Sequence, residues 1–232
     1  DLIAGMVGET WETWKRTVER TLETSPDSVT IYQLELPYNT VYSKTVLDGG
    51  DGPPIAGWEL KREWQAYAFE RLAANGYRTS SAYTMVKEGC REPFVYRDSL
   101  WQGADLLPLG VSSFGHLSGV HVQNTAGWTP YLETVEAGHL PHGRAFATSP
   151  EQRLTRQVIL QLKRGWLARA PFLEAFGVDI LDRHGPVFES LEKRGMLVRG
   201  KDRVDLTPAG MLRVDLLLPE LYDPAFRGAR YT

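Results

Sequence analysis

"DLIAGMVGETWETWKRTVERTLETSPDSVTIYQLEL" (residues 1–36) is the stretch that decides the fold. Its apolar start leads through Gly5 and Gly8 into a segment where Trp11, Trp14, Val18 and Leu22 recur at helical spacing. Ser25-Pro26-Asp27 ends that run, and "SVTIYQLEL" (28–36) reads as a strand. Strand, glycine turn, helix, strand is the order of a parallel α/β unit, whose crossover helix packs back onto the sheet. A unit this small cannot bury both sheet faces alone.

Further along, "DGGDGPPIAG" (48–57) is a Gly/Pro-rich loop, and Leu60, Trp64, Tyr67 and Leu72 mark an amphipathic helix stopped at Gly76. "YRTSSAYTMV" (77–86) and "ADLLPLGVSS" (104–113) are expected as strands. Thr129-Pro130 gives an N-cap with proline at the first helical position, and Gly138 closes that helix. "HLPHGRAFATS" (139–149) has no periodicity and reads as a boundary, after which Ser149-Pro150-Glu151-Gln152 forms a capping box. Leu154, Val158, Gln161 and Leu162 then mark one helix, "PFLEAF" (171–176) a second and "PVFESLEKRG" (186–195) a third. "MLVRGKDRVDLT" (196–207) reads as a hairpin and Thr207-Pro208 starts a last helix, which completes a winged-helix-like order.

With 42% hydrophobic residues in 232, the chain has material for a core and the prior is one or two domains. No run approaches the ~18 apolar residues of a membrane span, and no basic segment followed by an apolar one opens the chain, so the expected location is the cytoplasm. Residues 1–150 hold 12 basic against 18 acidic side chains, and residues 151–232 hold 14 against 11. That mild basic excess is weak support for a nucleic-acid face. Cys90 is the one cysteine, which excludes an internal disulfide and any site needing several thiolates.

His116 and His121 are five residues apart, and His139 and His142 three apart in a Pro-containing loop. Neither pair has the spacing of a helical zinc motif, so they read as solvated or hydrogen-bonded histidines and no metal site is expected. His184 reads as a helix cap. "GVSSFG" (110–115) is one residue too long for a Gly-x-Ser-x-Gly nucleophile elbow. Small residues there suit either a tight turn or the close approach of a ligand to backbone.

Five blocks in order, "DLIAGMVGET", "YQLELPYNTVYSK", "GYRTSSAYTMVK", "LLPLGVSSFGHLSGVHVQN" and "LTPAGMLRVDLLLPELY", resemble the oxygen-independent coproporphyrinogen III oxidase family of radical S-adenosylmethionine (SAM) proteins. The resemblance covers nearly the whole chain. It implies an α/β fold in which residues 1–145 are the C-terminal part of a radical SAM (TIM-like) barrel and residues 150–232 a small winged-helix-like domain. In the family a 4Fe-4S cluster is held by Cys-x3-Cys-x2-Cys upstream of the first block, and Cys90 alone cannot supply about three thiolates. The expectation is therefore a fragment of a radical SAM oxidoreductase, inert by itself and exposing apolar strand surface. The intact parent would use SAM and the cluster, with flavodoxin or ferredoxin as electron donor, to decarboxylate a tetrapyrrole oxidatively.

The resemblance further implies that Asp1 binds the SAM ribose, that Leu34 lies against the adenine, and that Gly110, Val111, Ser112 and Phe114 border SAM. A salt-bridged strand end and a buried strand leucine are the plain readings of Asp1 and Leu34. Val95-Tyr96 stand where the oxidase has a Phe-Gln pair contacting a second SAM, a departure that leaves Tyr96 as a pocket-lining or core aromatic. Arg153 and Arg156, three apart on one helix face, suit the carboxylates of a tetracarboxylate substrate, or are solvated helix charges. Alternatives within the family are a haem chaperone, a methyltransferase or a cyclopropane-forming enzyme. A winged-helix DNA binder is the alternative of another class, opposed by Glu189 and Glu192, which offset Lys193 and Arg194 on the supposed recognition helix.

Overall fold

Strand β1 (Leu2–Ala4) ends in a tight turn where Gly5 has φ 97° and the Glu9 carboxylate accepts from the amides of Gly5 (2.6 Å) and Met6 (3.3 Å). Helix α1 (Trp11–Thr24) follows, started by a reciprocal Thr10/Thr13 capping box and ended by Ser25 in the left-handed region. Strand β2 (Ser28–Gln33) pairs parallel with β1, Leu2 opposite Ile31 and Ala4 opposite Gln33. This is the parallel unit expected from residues 1–36. The computed structural model that shows it describes residues 1–36, 41, 44, 55–90 and 94–227, so most of the 48–57 loop lies outside the described residues.

Helix α2 (Trp58–Ala73) packs beside α1 on the sheet, and Trp14, Val18, Trp64, Ala68 and Leu72 join Val29 and Ile31 in one buried cluster. Inside it, Trp14 Nε1 donates to the Trp64 carbonyl at 2.7 Å, so the one polar atom that indole buries is satisfied. Residues 77–86 form a hairpin rather than a single strand. Strands β3 (Tyr77–Thr79) and β4 (Thr84–Lys87) pair antiparallel because the amides of Ser80 and Ser81 both turn back to the Thr84 carbonyl. The sheet order is β1-β2-β4-β3, with β4 antiparallel to β2.

Helix α3 (Val95–Trp101) precedes a second sheet of β5 (Phe114–Leu117), β6 (Val120–Asn124) and β7 (His142–Ala147), all antiparallel. Residues 104–113 are not a strand. Only Leu106 bridges to His116, since Pro108 has no amide to donate and Gly110 (φ 94°) and Ser112 (φ 60°) turn the chain. Helix α4 (Trp128–Glu136) begins a residue before the expected cap, with Gly127 at its N-cap position, so Thr129 lies inside the helix. Pro130 fits the first turn there, where amides have no intrahelical partner. The segment read as a boundary contains β7, whose six residues are exposed, and α4 buries none of its own.

Helix α5 (Pro150–Leu162) starts with the expected capping box, the Ser149 amide donating to Gln152 Oε1 at 2.9 Å and the Gln152 amide to Ser149 Oγ at 3.2 Å. Then follow β8 (Trp166–Ala168), α6 (Ala170–Phe176), α7 (Ile180–Arg183), α8 (Gly185–Lys193), β9 (Leu197–Arg199), β10 (Arg203–Leu206), α9 (Pro208–Met211) and α10 (Val214–Leu217). The β9–β10 hairpin takes β8 as a third strand, in the order β8-β10-β9. The chain forms two compact units, one of Asp1–Arg91, Leu162–Leu167 and His184–Thr232, the other of Glu92–Gln161 and Ala168–Arg183. This grouping cuts the chain differently from the expected segments 1–145 and 150–232.

Candidate functional site

In the first unit, Asp1 is exposed at the entry to β1, while Leu34 continues β2 past its end, its amide donating to the Ala4 carbonyl at 2.8 Å. The parallel register puts Asp1 and Leu34 at opposite ends of the strand pair, about 13 Å apart by the rise of extended chain. The Leu34 carbonyl is taken by Lys61 Nζ at 2.7 Å. Lys61, unremarked in the sequence, is buried from α2 against Gly5, where a Cβ would stand 2.7 Å from Lys61 Cε. Burial pushes its pKa down, Glu35 opposes this, and the Trp58 ring lies 4.5 Å from the ammonium.

In the second unit, the Gly110–Phe114 loop is anchored by the buried Asn124, whose Nδ2 donates to the carbonyls of Pro108 (3.1 Å) and Gly110 (2.9 Å). His142 Nδ1 donates to Asn124 Oδ1 at 3.1 Å and fixes the amide's orientation. The Gly110 amide donates to the Tyr131 hydroxyl at 3.1 Å, the Ser112 amide to the Thr125 carbonyl at 3.0 Å, and Gln123 Nε2 to the Ser112 carbonyl at 3.2 Å. The loop's polar backbone is thus largely satisfied from within. What it presents is apolar, above all Phe114, 65% exposed.

Phe114 belongs to a mixed aromatic and cationic sheet face. Cross-strand partners share a face, so the rows Phe114–Gln123–Arg144 and His116–His121–Phe146 lie side by side. Arg144 Nε donates to Gln123 Oε1 at 2.5 Å, His116 and His121 meet through their Nδ1 atoms at 3.2 Å, and Phe146 is 54% exposed. His116 itself is buried. Helix α5 brings two guanidiniums to this cluster. Arg153 Nη1 donates to the Thr148 carbonyl at 3.2 Å and lies against Gly119, where a Cβ would stand 2.8 Å away. Arg156 is half-buried, and its charge, after burial itself, holds both imidazoles below the ordinary histidine pKa. Asp105 opposes the shift at His116, and its carboxylate accepts from the Ser118 amide at 2.8 Å. Arg156 has no ion-pair partner among the described residues.

Tyr96 is 64% exposed on α3 and so fills no core. His184 precedes α8 as expected of a cap, but its side chain makes no capping hydrogen bond. Asp1 and Leu34 fall in the first unit, and Gly110, Val111, Ser112, Phe114, Tyr96, Arg153 and Arg156 in the second. For a nucleoside cofactor the chain offers the Asp1 carboxylate and apolar surface at Phe114, with few spare backbone donors at Gly110–Ser112. An iron–sulfur cluster does not fit the residues present: Cys90 is the sole cysteine, and its Sγ donates to Asp27 Oδ1 at 3.0 Å, which raises its pKa away from the thiolate. Among the described residues no group of three or more metal-ligating side chains occurs.

The mixed α/β fold of this chain has a solved counterpart. Coproporphyrinogen III oxidase HemN from Escherichia coli, a radical SAM enzyme, superposes on 95% of the chain with a TM-score of 0.74 at 19% identity, the match taking in 54% of HemN. The sequence is similar to oxygen-independent coproporphyrinogen III oxidase of Thermostichus vulcanus, 25% identical over 92% of this chain and 70% of the relative. Heme chaperone HemW of Bacillus subtilis is 18% identical over 91% of this chain and 55% of the relative. No family model matches. The chain therefore has the HemN fold and resembles the coproporphyrinogen oxidases along its length, spanning about half of HemN and of HemW.

Proposed function

We propose that the chain is part of a coproporphyrinogen III oxidase-like radical SAM protein and supplies surface that holds a carboxylate-bearing tetrapyrrole. The observation that carries this reading is the likeness to an oxidase of that name over 92% of the chain. The chemistry of the second unit agrees with it. Flat exposed rings at Phe114 and Phe146 suit a macrocycle, Arg153 and Arg156 suit its propionates, and Tyr96 lines the approach. On this reading residues 1–145 correspond to part of the barrel and residues 150–232 to the winged-helix-like domain. The same reading gives SAM-binding roles to Asp1 and Leu34 in the first unit and to Gly110, Val111, Ser112 and Phe114 in the second.

The oxidative decarboxylation belongs to the whole protein, with a cluster whose thiolates these 232 residues do not provide. A flavodoxin or ferredoxin supplies its electrons, in the cytoplasm. The 232 residues alone bind tetrapyrrole without turning it over. A haem-holding role is the second reading, favoured by the likeness to HemW.

The test is spectrophotometric titration of the full chain with coproporphyrin III and, separately, with haem. Coproporphyrin binding weakened about tenfold by Arg156→Gln supports the first reading. A haem Soret shift without coproporphyrin binding supports the second, and binding of neither refutes both.

A further inference from the structure

Beyond the arginines, the hairpin places a protonatable pair against the same charge. Ser118 (φ 47°) and Gly119 (φ 81°) make a two-residue turn that sets His116 directly opposite His121. The rings meet at 4.5 Å between centroids and share one hydrogen, since an Nδ1···Nδ1 contact of 3.2 Å requires one nitrogen to donate and the other to accept. Facing them are Arg156 and Arg153 from α5 and Asp105 from the chain before β5, with the Gly115 carbonyl bonded to His121. Arg144 stands in the neighbouring row of the same sheet face, so among the described residues the Asp105 carboxylate is outnumbered by guanidiniums and the cluster carries a surplus of positive charge.

We infer that Arg156 and the His116–His121 pair form a carboxylate-binding site in which the ligand binds together with one proton. The inference rests on the reading of Arg156 as a substrate-facing residue and adds the histidines to it. The proton comes from solvent and goes to the accepting imidazole nitrogen. Both Nδ1 atoms then carry hydrogen, so the shared bond is lost and the exposed His121 ring turns its N–H to a carboxylate oxygen, while Arg156 donates to the other. The ligand carboxylate offsets the added proton, so the surplus of positive charge around Asp105 is no greater than before binding. Without a ligand the same proton would sit beside Arg156 uncompensated.

Isothermal titration calorimetry of the full chain with coproporphyrin III, repeated near pH 7.5 in two buffers of different ionisation enthalpy, counts the protons taken up. The expected result is uptake near one proton per ligand, lost in His121→Asn and accompanied by an upward shift of the imidazole titration in NMR spectra of the wild type. Binding that depends on Arg156 but exchanges no proton, with unshifted imidazoles, overturns this inference alone. Binding indifferent to Arg156→Gln overturns the reading beneath it.

Discussion

His116 and His121 face each other at 3.2 Å between Nδ1 atoms, and both titrate below the ordinary histidine value of 6.5, chiefly through burial and then through Arg156. Folding therefore favours the neutral rings, and below about pH 6.5 the unfolded chain binds more protons than the folded one. Stability from this source is complete above the ordinary value and falls as pH drops through the lowered folded values. Thermal midpoints measured between about pH 7.5 and pH 5 should fall, and His116→Gln should flatten the decline. An identical decline in the variant would place its cause elsewhere.

At Gly115, β5 lies tight against the preceding chain: a Cβ there would stand 2.4 Å from Pro108 Cδ and 2.5 Å from the Leu106 carbonyl oxygen. Leu106 and His116 exchange two backbone hydrogen bonds at 2.8 and 2.9 Å, so an added methyl must break that pairing. Gly115→Ala should cost about 1–3 kcal/mol, read as a lower urea midpoint with an unchanged slope. It should also weaken coproporphyrin binding, because the same pairing holds His116 in place.

Lys61 fills the space at Gly5 and satisfies the Leu34 carbonyl from a buried position. Lys61→Met keeps the apolar stem and removes the donor. The expected loss is about 1–3 kcal/mol from the unsatisfied carbonyl, and urea denaturation measures it. Stability equal to the wild type would show that water or a side-chain shift replaces the ammonium.

Cys90 donates to Asp27, and that bond, with burial and the carboxylate's charge behind it, keeps the thiol protonated. Reaction with a disulfide reagent near neutral pH should be slow, and Asp27→Asn should accelerate it several-fold by removing the charge. Equal rates in the two proteins would contradict the arrangement.

Much of the architecture was legible where a local rule sufficed. The parallel β1–α1–β2 unit follows from helical spacing between Gly5 and Ser25, and the start of α5 from Ser149 and Gln152. Residues 104–113 misled because an apolar run resembles a strand, whereas Pro108 and the turns at Gly110 and Ser112 prevent pairing. The His116–His121 contact was also within reach, since Ser118-Gly119 is a two-residue hairpin turn that fixes which residues face each other. The partners of Lys61 and Asn124 were not. Both depend on backbone carbonyls brought together only by tertiary packing, for which neither residue type nor spacing gives a sign.

The most direct measurement compares the affinity of the full chain for coproporphyrin III with that for its tetramethyl ester, which keeps the macrocycle and removes the charges. Preference for the acid by about tenfold or more, abolished by Arg156→Gln, is the expected result. Equal affinity for acid and ester, or a preference that survives in Arg156→Gln, would contradict carboxylate recognition at this site.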